Sequence, residues 1–126
     1  MSEKCDYSSE RKDFEVSLRF LSVNEGGRKT SWVKQGYRCD FSYANELDAA
    51  FMIWPIFLGD NGLPLLIETT VETDKPVNAQ MVIIDDELRV TEHRSRIQNG
   101  TRFFMREGSK IVAEGIVTRI IDLFVD

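Results

Sequence analysis

The chain has 126 residues, of which 42% are apolar and 29% charged, and its net charge is −5. That length suits one domain able to bury roughly two-thirds of its unfolded surface, and the net acidity argues against a general nucleic-acid binder. No run approaches the ~18 apolar residues of a membrane-spanning helix, and Met1 to Asp13 contains no apolar signal-peptide core. Cys5 and Cys39 are too few for a disulfide framework and are expected as free thiols. A cytoplasmic, membrane-free protein is the expectation.

In chain order, residues 1–13 are polar and read as a flexible tail, with a single domain over 14–126. Phe14, Val16, Leu18 and Phe20 alternate with polar residues, the pattern of a half-buried strand. It ends at Asn24-Glu25-Gly26-Gly27, a turn signal. A basic loop follows, and alternation resumes at Tyr37, Cys39, Phe41 and Tyr43. Ala44 to Ala50 can form at most a short helical turn. Phe51 to Leu58 is apolar throughout and holds Pro55, which suits a strand near an edge or bulge.

Gly59-Asp60-Asn61-Gly62 predicts a turn and Leu65 to Val71 a strand, with a second turn at Glu72–Pro76. Val77, Ala79, Met81 and Ile83 alternate as a further strand, closed by Asp85-Asp86-Glu87. Over 88–98 a solvated strand and a short helix compete. Asn99-Gly100 reads as a hairpin turn, leading into a strand over Thr101–Arg106. Glu107-Gly108-Ser109 turns the chain into Ile111–Phe124, a last strand pair or one bent strand, with Gly115 at the bend. Roughly seven or eight short strands without sustained helical periodicity predict an all-β domain, and closing the sheet into a barrel would remove its edges.

Charge is unevenly spread. Residues 26–38 and 94–110 each carry a net +4, whereas residues 40–87 hold ten acids and one lysine. If the basic segments fold together they make a directed field. His93 is the only histidine, so no catalytic triad or histidine metal pair can be assembled. Beside Glu92 and Arg94 it reads as an exposed strand residue. Asp85-Asp86-Glu87 lacks the spacing of a calcium loop. Trp54 reads as core and Cys39 as a buried, inert thiol. Trp32, in the basic loop, is a candidate either for stacking on a base or partner or for packing under the loop. Arg28 and Arg106 can pair with Glu25 and Glu107 or contact a ligand. No enzyme activity, cofactor or metal is expected.

The run Glu25-Gly26-Gly27-Arg28-Lys29-Thr30, then Gly36-Tyr37-Arg38, resembles the third, C-terminal β-barrel domain of elongation factor Tu. There the loop reads EGGR, then a basic residue and threonine, and the next strand opens GYR. Thr101 to Val117 is likewise similar to the family's LRFAIREGGRTVGAGVV. The chain departs from the family at Ser31-Trp32-Val33 and at Cys39-Asp40, and lacks the GxxxxGK[ST] loop of a GTPase. The resemblance implies a closed six-stranded antiparallel Greek-key barrel with a divergent acidic middle insertion. It also implies a surface that contacts structured RNA such as tRNA. Arg28, Lys29, Thr30, Glu107 and Gly108 carry over from the family motifs; Trp32 and Arg106 join them from the basic segments. The alternative expectation is a protein-interaction module or homodimer that uses the barrel surface docked on companion domains in the family.

Overall fold

A computed structural model describes residues 11–126. Eight strands are present among them: β1 (Phe14–Phe20), β2 (Trp32–Lys34), β3 (Cys39–Tyr43), β4 (Phe51–Phe57), β5 (Thr70–Glu72), β6 (Val77–Ile83), β7 (Arg102–Glu107) and β8 (Lys110–Ile120). Six form a closed barrel in the order β1-β6-β4-β3-β7-β8, and every neighbouring pair is antiparallel. The run β3-β4-β6 with β7 returning beside β3 is a Greek key. β2 and β5 pair separately as a two-stranded ribbon.

Alternation builds the barrel as expected. Phe14, Val16, Leu18 and Phe20 of β1, and Val77, Ala79, Met81 and Ile83 of β6, face one core. Phe14, Phe41, Phe57 and Phe103 are at most 1% exposed, and each such burial is worth about 2–3 kcal/mol. β8 is one long strand that pairs with β7 on one side and β1 on the other, closing the barrel. Gly115 lies beneath the Phe103 ring, where a Cβ would come within 2.3 Å of the ring. Close packing requires glycine there.

Pro55 sits in β4, where its nitrogen faces away from β6, because Leu58 N–H and its alternates donate to β6. On that far side pairing with β3 has already stopped at Ile53. Gln35 completes the edge: its side-chain oxygen accepts from Phe57 N–H at 2.8 Å, and its amide donates to the Phe57 and Leu65 carbonyls. A buried side-chain amide thus stands in for a strand.

Several expectations are corrected. Of Leu65–Val71 only Thr70 and Val71 belong to a strand, because Glu68 adopts a left-handed φ of 70° and reverses the chain. Of the two readings open for residues 88–98 the short helix holds: a helical turn at Asp86–Leu88, capped by Asp85, runs into a π-helical turn at Arg89–His93. Asn99-Gly100 connects this helical segment to β7 instead of joining two strands. Only Gly100 has positive φ there, so the turn is not of the primed type. Trp54 lies on the outer face of the barrel, half-buried, with the Arg38 guanidinium 4.7 Å over its ring.

His93 is 2% exposed and shares a 2.6 Å hydrogen bond with the Tyr43 hydroxyl, edge-on to Phe41 and Phe51. The expected tail lies outside the described residues except for 11–13, and these belong to the fold. Asp13 is fully buried: its carboxylate accepts from Ile83 N–H and Arg89 Nε, both at 2.8 Å. Arg89 Nη2 donates to the carbonyls of Asp122 and Val125. One ion pair therefore ties β1, β6, the helical segment and the C-terminal residues together.

Asp13→Ala should lose about 3–5 kcal/mol, because Arg89 is left charged and unpaired in the interior. The midpoint of urea unfolding measures it. Burial pushes the His93 imidazole below its ordinary value; Arg96 adds to this, against Glu92, Asp13 and Asp85. The unfolded chain therefore binds the proton first, and stability falls as pH drops through about 6.5. His93→Gln should flatten the fall in melting temperature between about pH 7.5 and 5.5.

Candidate functional site

The loop that follows β1 is built by its own motif. Val23–Glu25 form a single 3-10 turn, and the Glu25 carboxylate accepts from Ser22 N–H at 2.9 Å and from Arg19. Gly26 takes a left-handed φ of 88°, which ends the turn. Gly27 has the other reason to be glycine: a Cβ would lie 2.1 Å from the Leu21 carbonyl oxygen. The chain then enters Arg28, Lys29 and Thr30 and continues into β2.

Arg28 does not pair with Glu25, and Arg106 does not pair with Glu107. Arg28 Nη1 donates to the Glu107 carboxylate, and the Tyr37 hydroxyl donates to the same oxygen at 2.5 Å. The Arg28 guanidinium also lies 5.2 Å over the Tyr37 ring. Arg28 and Glu107 are each partly buried, at 25% and 33% side-chain exposure, so water screens the pair less than it would on an open surface. Burial works against the Glu107 carboxylate, but Tyr37, Arg28 and Lys110 together hold it below its ordinary range. Burial and Glu107 push the Tyr37 hydroxyl up. Tyr37 was legible only as an apolar-face residue.

Gly108, with φ 63°, and Ser109 form the two-residue turn between β7 and β8, and glycine is required at its first position. Arg106 stays on its own side of the sheet, donating to the carbonyls of Gly108 and Leu47 and to the Ser42 hydroxyl. It fastens the loop after β3 through Nε and Nη1. Thr30 donates to the Trp32 carbonyl at 3.0 Å.

The structure thus brings Arg28, Thr30 and Glu107 to one place, with Gly108 adjoining, and assigns Arg106 to neighbouring loop contacts. Lys29 is exposed and Trp32 is 44% exposed. Lys29 and Lys34 form no ion pair among the described residues. Arg28 divides two open clefts. One, of about 460 Å³, is lined by Arg19, Lys29, Thr30 and Lys75 among others; the other, of about 390 Å³, by Trp32, Lys34 and Tyr37. The Cys39 thiol is pushed up to about 12 by burial, then by Asp40 and Glu107, so it is no nucleophile at neutral pH. Among the described residues no three His, Cys, Asp or Glu side chains could hold a metal ion, and no helix is long and apolar enough to cross a membrane. No protein-family model matches the chain.

Glu107→Gln removes the charge that Arg28 and Tyr37 share. It should cost about 1–2 kcal/mol and raise hydrogen exchange at the backbone amides of residues 26–31, with those of β6 unchanged.

Proposed function

We propose that this protein is a non-catalytic binding module, akin to the third domain of elongation factor Tu, that contacts structured RNA such as tRNA in the cytoplasm. The junction of Arg28, Tyr37 and Glu107 carries the reading, because it joins the loop after β1 and the turn after β7 into one surface. Around it Lys29, Trp32 and Lys34 are exposed on one segment and Lys110 on the other. Lysine ammonium groups neutralise phosphates as mobile point charges, and an exposed indole can stack on an unpaired base. Arg28 is already neutralised by Glu107. In this reading it shapes the surface, and the lysines meet the polyanion.

Binding to tRNA should weaken linearly on a log–log plot as salt rises. Lys29→Ala should reduce the slope by about one and lower affinity across RNA sequences alike. Fluorescence anisotropy with labelled tRNA at several salt concentrations measures both. An unchanged slope in a Lys29→Ala, Lys34→Ala double variant removes this loop from the contact.

A further inference from the structure

The cleft of about 390 Å³ lies beside β2. β2 turns Val33 inward, opposite the buried Val71, so Trp32 and Lys34 share the outward face of the ribbon. Trp32 is 44% exposed, and among the described residues no ring or cation lies on its indole. Tyr37 also lines the cleft but is not open, because Arg28 lies over its ring and Phe57 stacks at 6.4 Å. Trp32 therefore offers the open aromatic face, and Lys34 offers a cation without an ion pair among the described residues.

The same cleft holds an acid on a strained backbone. Glu68 is exposed, and among the described residues its carboxylate forms no ion pair, although Lys34 lines the cleft with it. Its φ of 70° is left-handed, which is uncommon for a glutamate and persists only where the surroundings enforce it. They do so here. Glu68 N–H donates to the Gln35 carbonyl at 3.2 Å, and Gln35 N–H donates to the Thr69 carbonyl at 2.8 Å. Gln35 is itself fixed by its amide bonds to Phe57 and Leu65. The carboxylate thus rises from a rigid support into a cleft with an open indole.

We infer that this cleft takes a single guanine nucleotide: the base lies on the Trp32 indole, Glu68 accepts from its Watson–Crick edge, and Lys34 meets its phosphate. A carboxylate offers two acceptor oxygens side by side. Among the four bases only guanine presents two adjacent N–H donors on that edge, at N1 and N2. Adenine and cytosine set a ring acceptor beside the amino group, and uracil flanks its N–H with two carbonyls. Each of these aims a lone pair at the carboxylate and leaves it poorly satisfied. The inference deepens the RNA reading by naming the base, and it rests on that reading only for the guanine being part of an RNA.

NMR titration of the full chain with GMP, AMP, CMP and UMP, following the indole N–H signals of Trp32 and Trp54, tests it. GMP should move the Trp32 signal with a dissociation constant of about 1 mM, at least about tenfold tighter than the other nucleotides, and leave Trp54 still. Glu68→Gln keeps the stacking surface but loses an acceptor, and should bring GMP to the level of AMP. Glu68→Gly should do the same without lowering the melting temperature, because relief of the strained φ offsets the added freedom of the unfolded chain. A labelled RNA hairpin with one unpaired guanine in its loop should bind at least about tenfold tighter than the same hairpin with adenine there. If GMP is selected and neither hairpin binds, the cleft takes the free nucleotide and the RNA reading fails. If both hairpins bind alike with a steep salt dependence and GMP leaves Trp32 unmoved, the RNA reading stands and the guanine site is overturned. Equal shifts from all the mononucleotides, or a Glu68→Gln variant that still prefers GMP, overturn it as well.

Discussion

One carboxylate positions the candidate binding surface. Glu107 ends β7 immediately before the turn into β8, and it receives Arg28 from a loop 79 residues earlier and Tyr37 from the approach to β3. Three segments distant along the chain therefore share one oxygen atom. The junction is partly withdrawn from water, which strengthens the attraction without the full desolvation cost of a buried pair. It does for the loop after β1 what strand pairing does for the barrel: it replaces a freely moving connection by one fixed at both its root and its middle.

The basic blocks that stand out in the sequence do not form a uniformly positive surface. Arg19 is taken by Glu25 and Glu114, Arg28 by Glu107, Arg94 by Asp126, and Arg96 by Glu46 and Glu92. The planar guanidinium suits such fixed, forked contacts, whereas Lys29, Lys34 and Lys110 are exposed. Arginine fastens the loops and lysine presents charge, so a count of basic residues overstates what the loops can offer a polyanion. Net acidity and a local basic surface are compatible for this reason.

Much of the barrel was legible because an antiparallel strand with one wet face must alternate. β1, β3 and β6 follow that rule, and their inward residues match the expected faces. β4 obeyed no alternation because its outer side is also apolar, and for the same reason Trp54 looked like core. The illegible parts are those held by buried polar groups. The helical segment turns Arg89 and His93 inward, so it has no apolar stripe to betray a helical period. Asp13 and Gln35 are interior residues whose importance lies in partners distant along the chain. At the site, loop and turn were each visible as glycine-bearing polar segments. The pairing was not: Glu25 is the nearer acid for Arg28, but its carboxylate is committed to Ser22 and Arg19, and Glu107 is within reach only once the barrel has closed.

The coupling between Arg28 and Glu107 is the most direct quantity to measure. A double-mutant cycle from Arg28→Ala, Glu107→Ala and the double variant, read by denaturant unfolding, isolates the pair from the rest of each side chain. The expected result is a favourable interaction of about 1 kcal/mol or more, with the double variant losing little beyond either single one. Strictly additive losses would contradict it and leave the two loops as independent parts of the surface.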